Sequence, residues 1–465
     1  MARKRSKQAR TTQANALPTP TSGTGDTLEG WVADGTVDTV LLGVVDGQGR
    51  LKGKELDAEF LLPRLCDGSL TPEVCGYLFD TDLGMSASWG GGLGDLLLLP
   101  DRSRATRLPW LPATALLPAE PIAPGAVPLP TGPVAILQEQ LVQLTGLGYR
   151  LKVGIETEFT IFEGTAEHAA DDAFRQLVPV TRDNRDYALD QPSQLTAYTR
   201  HLRRVLREAG MPVEAVKTES SPGQVEVTFP YGEAEAACWQ HVLFKHAARA
   251  VADQHRMSAT FMAAPVTGVG SGMHLHVSLW RGEEPVMCAE RTEAELSAEG
   301  LAAVAGVLEV LPVTGLMWAP YVNSYRRLRP RSFAPTRAVW GRDNRTCAVR
   351  VVGHGRGLHL EVRVPGADAN PYVALAAVAA GIRHGLEREL KPPQACEGDG
   401  YEAWDAPALP TSLTAAVAAM ESSPLALELL GAEVAGHLVV AGRREVLALA
   451  HAVTDAELAW GFAQA

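Results

Sequence analysis

Four short segments of this chain place carboxylates, imidazoles and a guanidinium at every second position. In VGIETEFTIF (153–162), Glu156 and Glu158 oppose Val153, Ile155, Thr157, Phe159 and Ile161. GQVEVTF (223–229) sets Gln224, Glu226 and Thr228 against Val225, Val227 and Phe229, with Glu219 just upstream across a Ser-Ser-Pro-Gly turn. GMHLHVSLW (272–280) sets His274, His276 and Ser278 against Met273, Leu275, Val277 and Leu279. LHLEVRVP (358–365) shows His359, Glu361 and Arg363 against Leu358, Leu360, Val362 and Val364. A period of two is that of a strand, so each segment presents one apolar and one reactive face.

Any half-exposed antiparallel strand alternates in this way. Solvent faces, however, also use Thr, Lys and Ser, whereas these four use Glu, His and Arg almost alone. Two carboxylates two residues apart on a strand sit about 7 Å from each other, and in a partly buried place their repulsion calls for a cation or a proton. A sheet curved so that the four faces converge gathers five glutamates, histidine and arginine in one cavity. Oxygen ligands with one imidazole suit Mg²⁺ or Mn²⁺ better than zinc. Arginines beside such ions call for an anion, such as a phosphate, to complete the site.

The elements that must carry these faces are marked along the chain. VAILQEQLVQLTGLGY (134–149) reads as a helix leading into the first strand. Asn370 followed by Pro371 fits a cap and a first-turn proline. The segment from Leu413 onward, rich in Ala, Leu and Glu, reads helical throughout. Upstream, residues 29–110 mix short apolar runs with turn signals and predict a small sheet-rich domain. Residues 108–133 are so dense in proline that regular structure is not expected, and they mark the boundary region. The expected divisions are a basic tail over 1–28, a small domain over 29–127 and a catalytic domain over 128–465.

Composition narrows the class. The chain has 465 residues, 46% hydrophobic and 21% charged, as an ordinary globular protein does. A net charge of -12 argues against nonspecific nucleic-acid binding. Only the start, MARKRSKQAR, is strongly basic, and it runs into a Ser, Thr, Pro and Gly-rich stretch expected to stay solvated. No uninterrupted apolar run of about 18 residues and no signal-like segment is seen, so a cytoplasmic protein with no membrane partner is expected. Six cysteines lack any Cys-x-x-Cys pair, which points to reduced structural thiols.

Assembled, these segments resemble the glutamine synthetase family over roughly residues 29–460. IETEF, SPGQVE, GSGMHLHVSLW, NSYRRL, NRTCAVR and EVRVPGADANPY occur in that family's order. The resemblance implies an α+β fold: an N-terminal β-grasp-like domain, then a catalytic domain with a curved antiparallel sheet, a half-barrel, surrounded by helices. It implies a homo-oligomer, a dodecamer of two stacked hexameric rings with active sites at subunit interfaces. It implies ATP, glutamate and an amine as substrates, with two or three Mg²⁺ or Mn²⁺ ions per site. Position by position, Glu158, Glu219 and Glu226 match the ligands of one metal, and Glu156, His274 and Glu361 those of the other. Arg327 and Arg363 match the grip on glutamate, Arg345 and Arg350 the groups that neutralise the transferring phosphoryl. Gly270 matches the loop at the glutamate amino group; Tyr231, His276 and Ser278 match nucleotide contacts.

The departures from that family concern the amine. Phe333 in RPRSFAP stands where glutamine synthetases carry the flap glutamate that binds ammonium and removes its proton. Asp80 and Asp82 are the candidates for the family's acidic partner from the N-terminal domain. Val269 replaces an Asn near the glutamate loop, His359 replaces a nucleotide-contacting Arg, and Tyr401 lies in a shortened loop, so adenylylation is not expected. Phenylalanine cannot accept a proton, but it packs against methylenes and offers a cation its ring face. The resemblance, read with Phe333, therefore implies a ligase joining glutamate to a polyamine or monoamine, like the γ-glutamylpolyamine synthetases. The alternatives are a glutamine synthetase using ammonia and a non-catalytic family member.

Overall fold

The structure, a computed structural model, describes residues 27–76, 94–123, 127–289 and 295–462. Residues 1–26 of the expected tail, and the candidates Asp80 and Asp82, lie outside the described residues. The chain opens with helix α1 (Leu28–Ala33), N-capped by the Thr27 side chain, and Leu28 at its start is already buried. There follow β1 (Thr39–Val45), β2 (Leu51–Asp57), α2 (Ala58–Cys66), β3 (Glu73–Cys75), β4 (Asp95–Pro100), β5 (Thr106–Arg107), β6 (Thr114–Ala123) and β7 (Val127–Pro128).

These strands make one sheet in the order β2-β1-β6-β4-β3, with β5 and β7 also on β6 and with β1 and β6 parallel. Helix α2 and one sheet face enclose a small core around Leu42, Val44, Leu61, Leu98 and Leu117. Val45 and Leu116 face the opposite way into the main core. That two-sided burial is why TVLLGVV is apolar without alternation. This is the β-grasp-like arrangement expected. Strand β6 corrects the expectation of irregular backbone through the proline-dense region. Pro118 accepts from the Asp101 amide (2.9 Å) and Pro121 from the Leu129 amide (3.0 Å), so at these positions the chain is asked for carbonyls that proline still has.

The second half alternates helices and strands. In order they are α3 (Pro133–Gly146), β8 (Arg150–Glu163), α4 (Ala166–Ala170), α5 (Ser193–Glu208), β9 (Ala215–Thr218), β10 (Gln224–Thr228), β11 (Gly232–Glu233) and α6 (Ala234–Gln254). Next come β12 (Met257–Thr260), β13 (Met273–Arg281), β14 (Glu284–Pro285), α7 (Ala298–Val310), α8 (Gly315–Trp318), α9 (Ser324–Arg327), β15 (Trp340–Arg342), β16 (Val349–Val352) and β17 (His359–Val362). Helices α10 (Pro371–Glu387), α11 (Leu413–Ser422), α12 (Pro424–Ala450) and α13 (Asp455–Gly461) close the chain.

The main sheet runs β15-β16-β17-β13-β8-β10-β9, with β11 and β12 pairing further along the long β8 and β14 pairing β13. It is mixed rather than wholly antiparallel, because β15 and β16 are parallel. Its apolar face, including Ile155, Phe159, Val227, Leu275 and Leu360, is buried in the main core. Helix α10 begins as its sequence suggests: Asn370 accepts from the Tyr372 amide and Pro371 takes the first turn. It packs on α7 so closely that a Cβ on Gly306 would lie 2.0 Å from the Gly381 carbonyl oxygen.

The C-terminal helices form as expected, with a break at Gly431 (φ 75°, ψ 161°) inside α12. The segment Pro424–Gly461 is long and apolar enough to cross a membrane by length and composition alone. Glu428, Glu433, Arg443, Arg444 and Glu445 interrupt it, so it holds no uninterrupted apolar run of about 18 residues. Within the fold this segment packs on α8 and α11, and Arg443 pairs with Glu421 of α11.

Candidate active site

Strand register brings the four reactive faces together. His274 on β13 lies opposite Glu156 on β8, and Glu226 on β10 lies opposite Glu158. His276 lies opposite Glu361 of β17, which in turn faces Arg350 of β16. Ligand atoms of Glu156, His274 and Glu361 all come within 4.8 Å of one another, and so do those of Glu158, Glu226 and His274. Five of the six expected metal ligands thus converge, with His274 common to both groups. Glu219 does not join them: its carboxylate ion-pairs with Lys217, two residues back on β9.

The electrostatics of this face are those of a cation site. Burial and the neighbouring charges of Glu156 and Glu158 push Glu226 up to about 7. Burial also works against ionised Glu156, but hydrogen bonds from His274 and His276 outweigh it and hold that carboxyl well below its usual range. Glu361 is buried, yet His274, Arg363 and Arg350 hold it down at about 2. A carboxyl raised by its acidic neighbours beside others fixed as anions is the arrangement a divalent cation relieves, so the donor set fits Mg²⁺ or Mn²⁺.

A pH dependence follows. Between its ordinary value near 4.5 and about 7, the metal-free folded chain holds a proton on Glu226 that the unfolded chain has lost. Stability in chelator from this group therefore falls as pH rises through that window and levels off above it. Mn²⁺ affinity runs the other way and should rise severalfold from pH 6 to 8, with a proton released on binding, as calorimetry in buffers of different ionisation enthalpy would show.

Glu361 also gathers the arginines. It ion-pairs with Arg363 and accepts from Arg350 at 2.8 Å, while Arg350 pairs as well with Asp343. Arg327 is buried and donates to the carbonyls of Val364 (2.8 Å) and Arg363 (3.1 Å), which fixes it beside the same strand end. The Nε of Arg363 is buried without a hydrogen-bond partner among the described residues. Tyr401 lies within electrostatic reach of both Arg327 and Arg363. A buried guanidinium nitrogen left unpaired is costly, and an anionic ligand removes that cost. Arg345 behaves differently: it is exposed, on the turn next to Asp343.

The loop after β12 explains Gly270. A Cβ there would meet the Arg327 Cγ at 2.9 Å, and the Gly270 carbonyl accepts from Gln224 at 2.8 Å. Gly272, not singled out from sequence, is more constrained still: a Cβ would lie 2.6 Å from the Arg327 guanidinium and 2.8 Å from His274 Nε2. Its amide donates to Glu158 at 2.6 Å.

Toward the other end of β13, His276 Nδ1 lies 2.9 Å from His359 Nε2, and the far side of the His359 ring contacts the Gly357 carbonyl at 2.7 Å. Ser278 contacts the Lys152 carbonyl at 3.3 Å and accepts from the Trp280 indole at 2.8 Å. Tyr231 stacks on Trp280 with centroids 6.5 Å apart, and the Lys152 ammonium lies 4.0 Å over the same indole. Sequence reading stopped the polar face at Ser278. Trp280 continues the same alternation and was legible as part of it.

Phe333 is 63% exposed in the loop after α9, with φ 59°. Ser332 ties that loop back by donating to the Arg327 carbonyl at 2.9 Å, and Arg363 reaches the Phe333 carbonyl at 3.5 Å. The phenyl ring is therefore presented from a segment anchored to both Arg327 and Arg363.

A mixed sheet whose one face carries an imidazole, clamped arginines and paired acidic groups that could hold a metal ion defines a ligase of the glutamine synthetase type. The chain belongs to the glutamine synthetase family: that family's catalytic domain is matched over residues 131–461. The γ-glutamylethanolamide synthetase of Streptomyces coelicolor is 40% identical over 466 residues, covering 97% of this chain and 98% of the relative. A glutamate–isopropylamine ligase from a Pseudomonas species is 30% identical over 377 residues, covering 79% of this chain and 82% of that protein. Among solved structures, a GmaS/ADP complex superposes with a TM-score of 0.81 at 25% identity, over 94% of this chain and all of the other.

Proposed function

We propose that this protein is an ATP-dependent carbon–nitrogen ligase that joins the γ-carboxylate of glutamate to a primary amine other than ammonia, releasing ADP and phosphate. The observation that carries this reading is the convergence of Glu156, Glu158, Glu226, His274 and Glu361 with Arg350 and Arg363 on one sheet face. Relatives named for ethanolamine and isopropylamine products support an alkylamine acceptor.

The γ-carboxylate oxygen of glutamate attacks the terminal phosphorus of ATP, and ADP leaves. The amine nitrogen then attacks the carbonyl carbon of γ-glutamyl phosphate; phosphate leaves and the nitrogen loses its proton. Two divalent ions held by the two carboxylate and imidazole groups, with a third as the family allows, would supply charge neutralisation at the phosphates. Arg327 and Arg363 are assigned to the glutamate, with Gly270 leaving room for its loop. Arg350, held in place by Glu361 and Asp343, is assigned to the phosphoryl oxygens, where fixed positive charge is most valuable. Arg345, at the edge, is assigned to the same group. Tyr231, His276 and Ser278 are assigned to the nucleotide, and Glu219 to the first metal once Lys217 is set aside.

Phe333 is assigned to the acceptor. An alkylamine brings apolar surface worth about 0.8 kcal/mol per buried CH₂, which ammonium lacks. Glutamate-dependent ADP release should be measured with ammonium, ethanolamine, isopropylamine and putrescine at equal concentration. An alkylamine should exceed ammonium by at least about tenfold; a preference for ammonium would make this a glutamine synthetase, and silence with every amine a non-catalytic member. Phe333→Glu should lower kcat/KM for the longer amines by about tenfold, the loss of roughly two methylene contacts. Exposed apolar residues on α12, on α13 and in the turn between them, including Leu447, Trp460 and Val453, support assembly into stacked rings. The free thiols throughout the described residues support a cytoplasmic setting.

A further inference from the structure

One cation on the acidic face belongs to the chain itself. Lys217 lies directly across from Glu226 in the β9–β10 register, so its side chain leaves the sheet on the same face as Glu226. Its ammonium ion-pairs with Glu219 and lies 3.5 Å from Glu226 Oε1. The ring of Tyr187 approaches the ammonium at 4.9 Å. The Glu226 and Glu219 side chains are only 8% and 15% exposed, so the two carboxylates facing the ammonium are largely withdrawn from water.

We propose that Lys217 is an internal counter-ion that competes with a divalent cation for Glu219 and Glu226 and thereby sets the metal affinity of this half of the site. The inference rests on the metal-site reading above. With Glu156, Glu158 and Glu226 facing one another, a resident ammonium offsets part of their repulsion and lets the face form without metal. A divalent ion taking the same carboxylates must either displace the ammonium or bind beside a like charge, and both lower its affinity. The Tyr187 face provides somewhere for the displaced ammonium to rest. The spacing also accounts for Glu219 standing apart from the other five ligands: its preferred partner in this state is the lysine. A site built this way takes up its first ion only when the metal concentration is high enough to overcome an intramolecular competitor.

The test is Mn²⁺ binding to the full chain stripped with chelator, with free Mn²⁺ followed by electron paramagnetic resonance and no nucleotide or glutamate present. Lys217→Met keeps the apolar stem and removes the charge; one Mn²⁺ per chain should then bind about tenfold tighter, while any other ion binds as in wild type. Lys217→Arg keeps the charge and should stay within about threefold of wild type. The thermal shift between chelator and saturating Mn²⁺ should widen in Lys217→Met. Equal or weaker Mn²⁺ binding by Lys217→Met would overturn the proposal, and Lys217→Gln supplies the same comparison if the Met variant does not fold. Glu226→Gln separates the two readings: if it binds Mn²⁺ as wild type does, the metal site itself is wrong, whatever Lys217 does.

Discussion

Glu226→Ala is expected to lower turnover by at least about a thousandfold while the protein remains folded. Glu226 is central to the acidic face, within ligand distance of Glu158 and His274 and opposite Glu158 in the strand register. Losing it removes an oxygen from the cation site, and with it the fixed positive charge on which phosphoryl transfer depends. The fold should tolerate the change, because in the metal-free chain this buried carboxyl is under repulsion from Glu156 and Glu158. Removing a repelled group offsets part of the cost of the space it leaves. The thermal midpoint in chelator should therefore stay within a few degrees of wild type, and its rise on adding Mn²⁺ should shrink. Turnover within tenfold of wild type would refute the ligand assignment.

The second large effect is expected from a change of one methyl group. Gly272→Ala places a Cβ 2.6 Å from the Arg327 guanidinium and 2.8 Å from His274 Nε2, well inside van der Waals contact. Both neighbours belong to the proposed machinery and both are buried. Neither can move freely: Arg327 is held by the carbonyls of Val364 and Arg363, and His274 lies between Glu156 and Glu361. The strain should cost about 1 to 3 kcal/mol of stability. A displacement of even 1 Å in a positioning group can cost about a hundredfold in rate, so kcat/KM for glutamate should fall by that factor or more. Gly146→Ala, at a helix end where a Cβ would meet nothing within 4 Å, is the control and should leave kcat/KM within twofold. Equal kinetics for the two variants would show that the loop has room the structure does not give it.

Most of the site was legible because strand alternation is a local property. Which of Glu156, Glu158, Glu226, His274, Glu361 and Arg363 share a face with their neighbours follows from a period of two, whatever the strands pair with. The Asn370 cap and the helices after Leu413 were readable for the same reason: capping and propensity act over a few residues. The proline-dense strand β6 was not readable, since whether Pro118 and Pro121 are tolerated depends on which backbone groups its partners demand. Gly272 was not singled out, because the reason for a glycine there is Arg327, 55 residues later in the chain, folded against it. Lys217 was not singled out, because nothing within its own strand says that Glu226 lies opposite.

By itself, then, the amino-acid order determined which side chains stand on reactive faces and the family those segments identify, and it raised the expectation that Phe333 replaces a proton acceptor. Tertiary structure decided the partnerships. It drew Glu219 to an ammonium instead of its expected group, made Glu361 the clamp for two arginines, and left Arg345 at the rim. The division has a physical origin, for backbone geometry repeats every few residues and can be read locally. Charge pairing depends on distances between strands far apart in sequence, and those exist only once the sheet has closed.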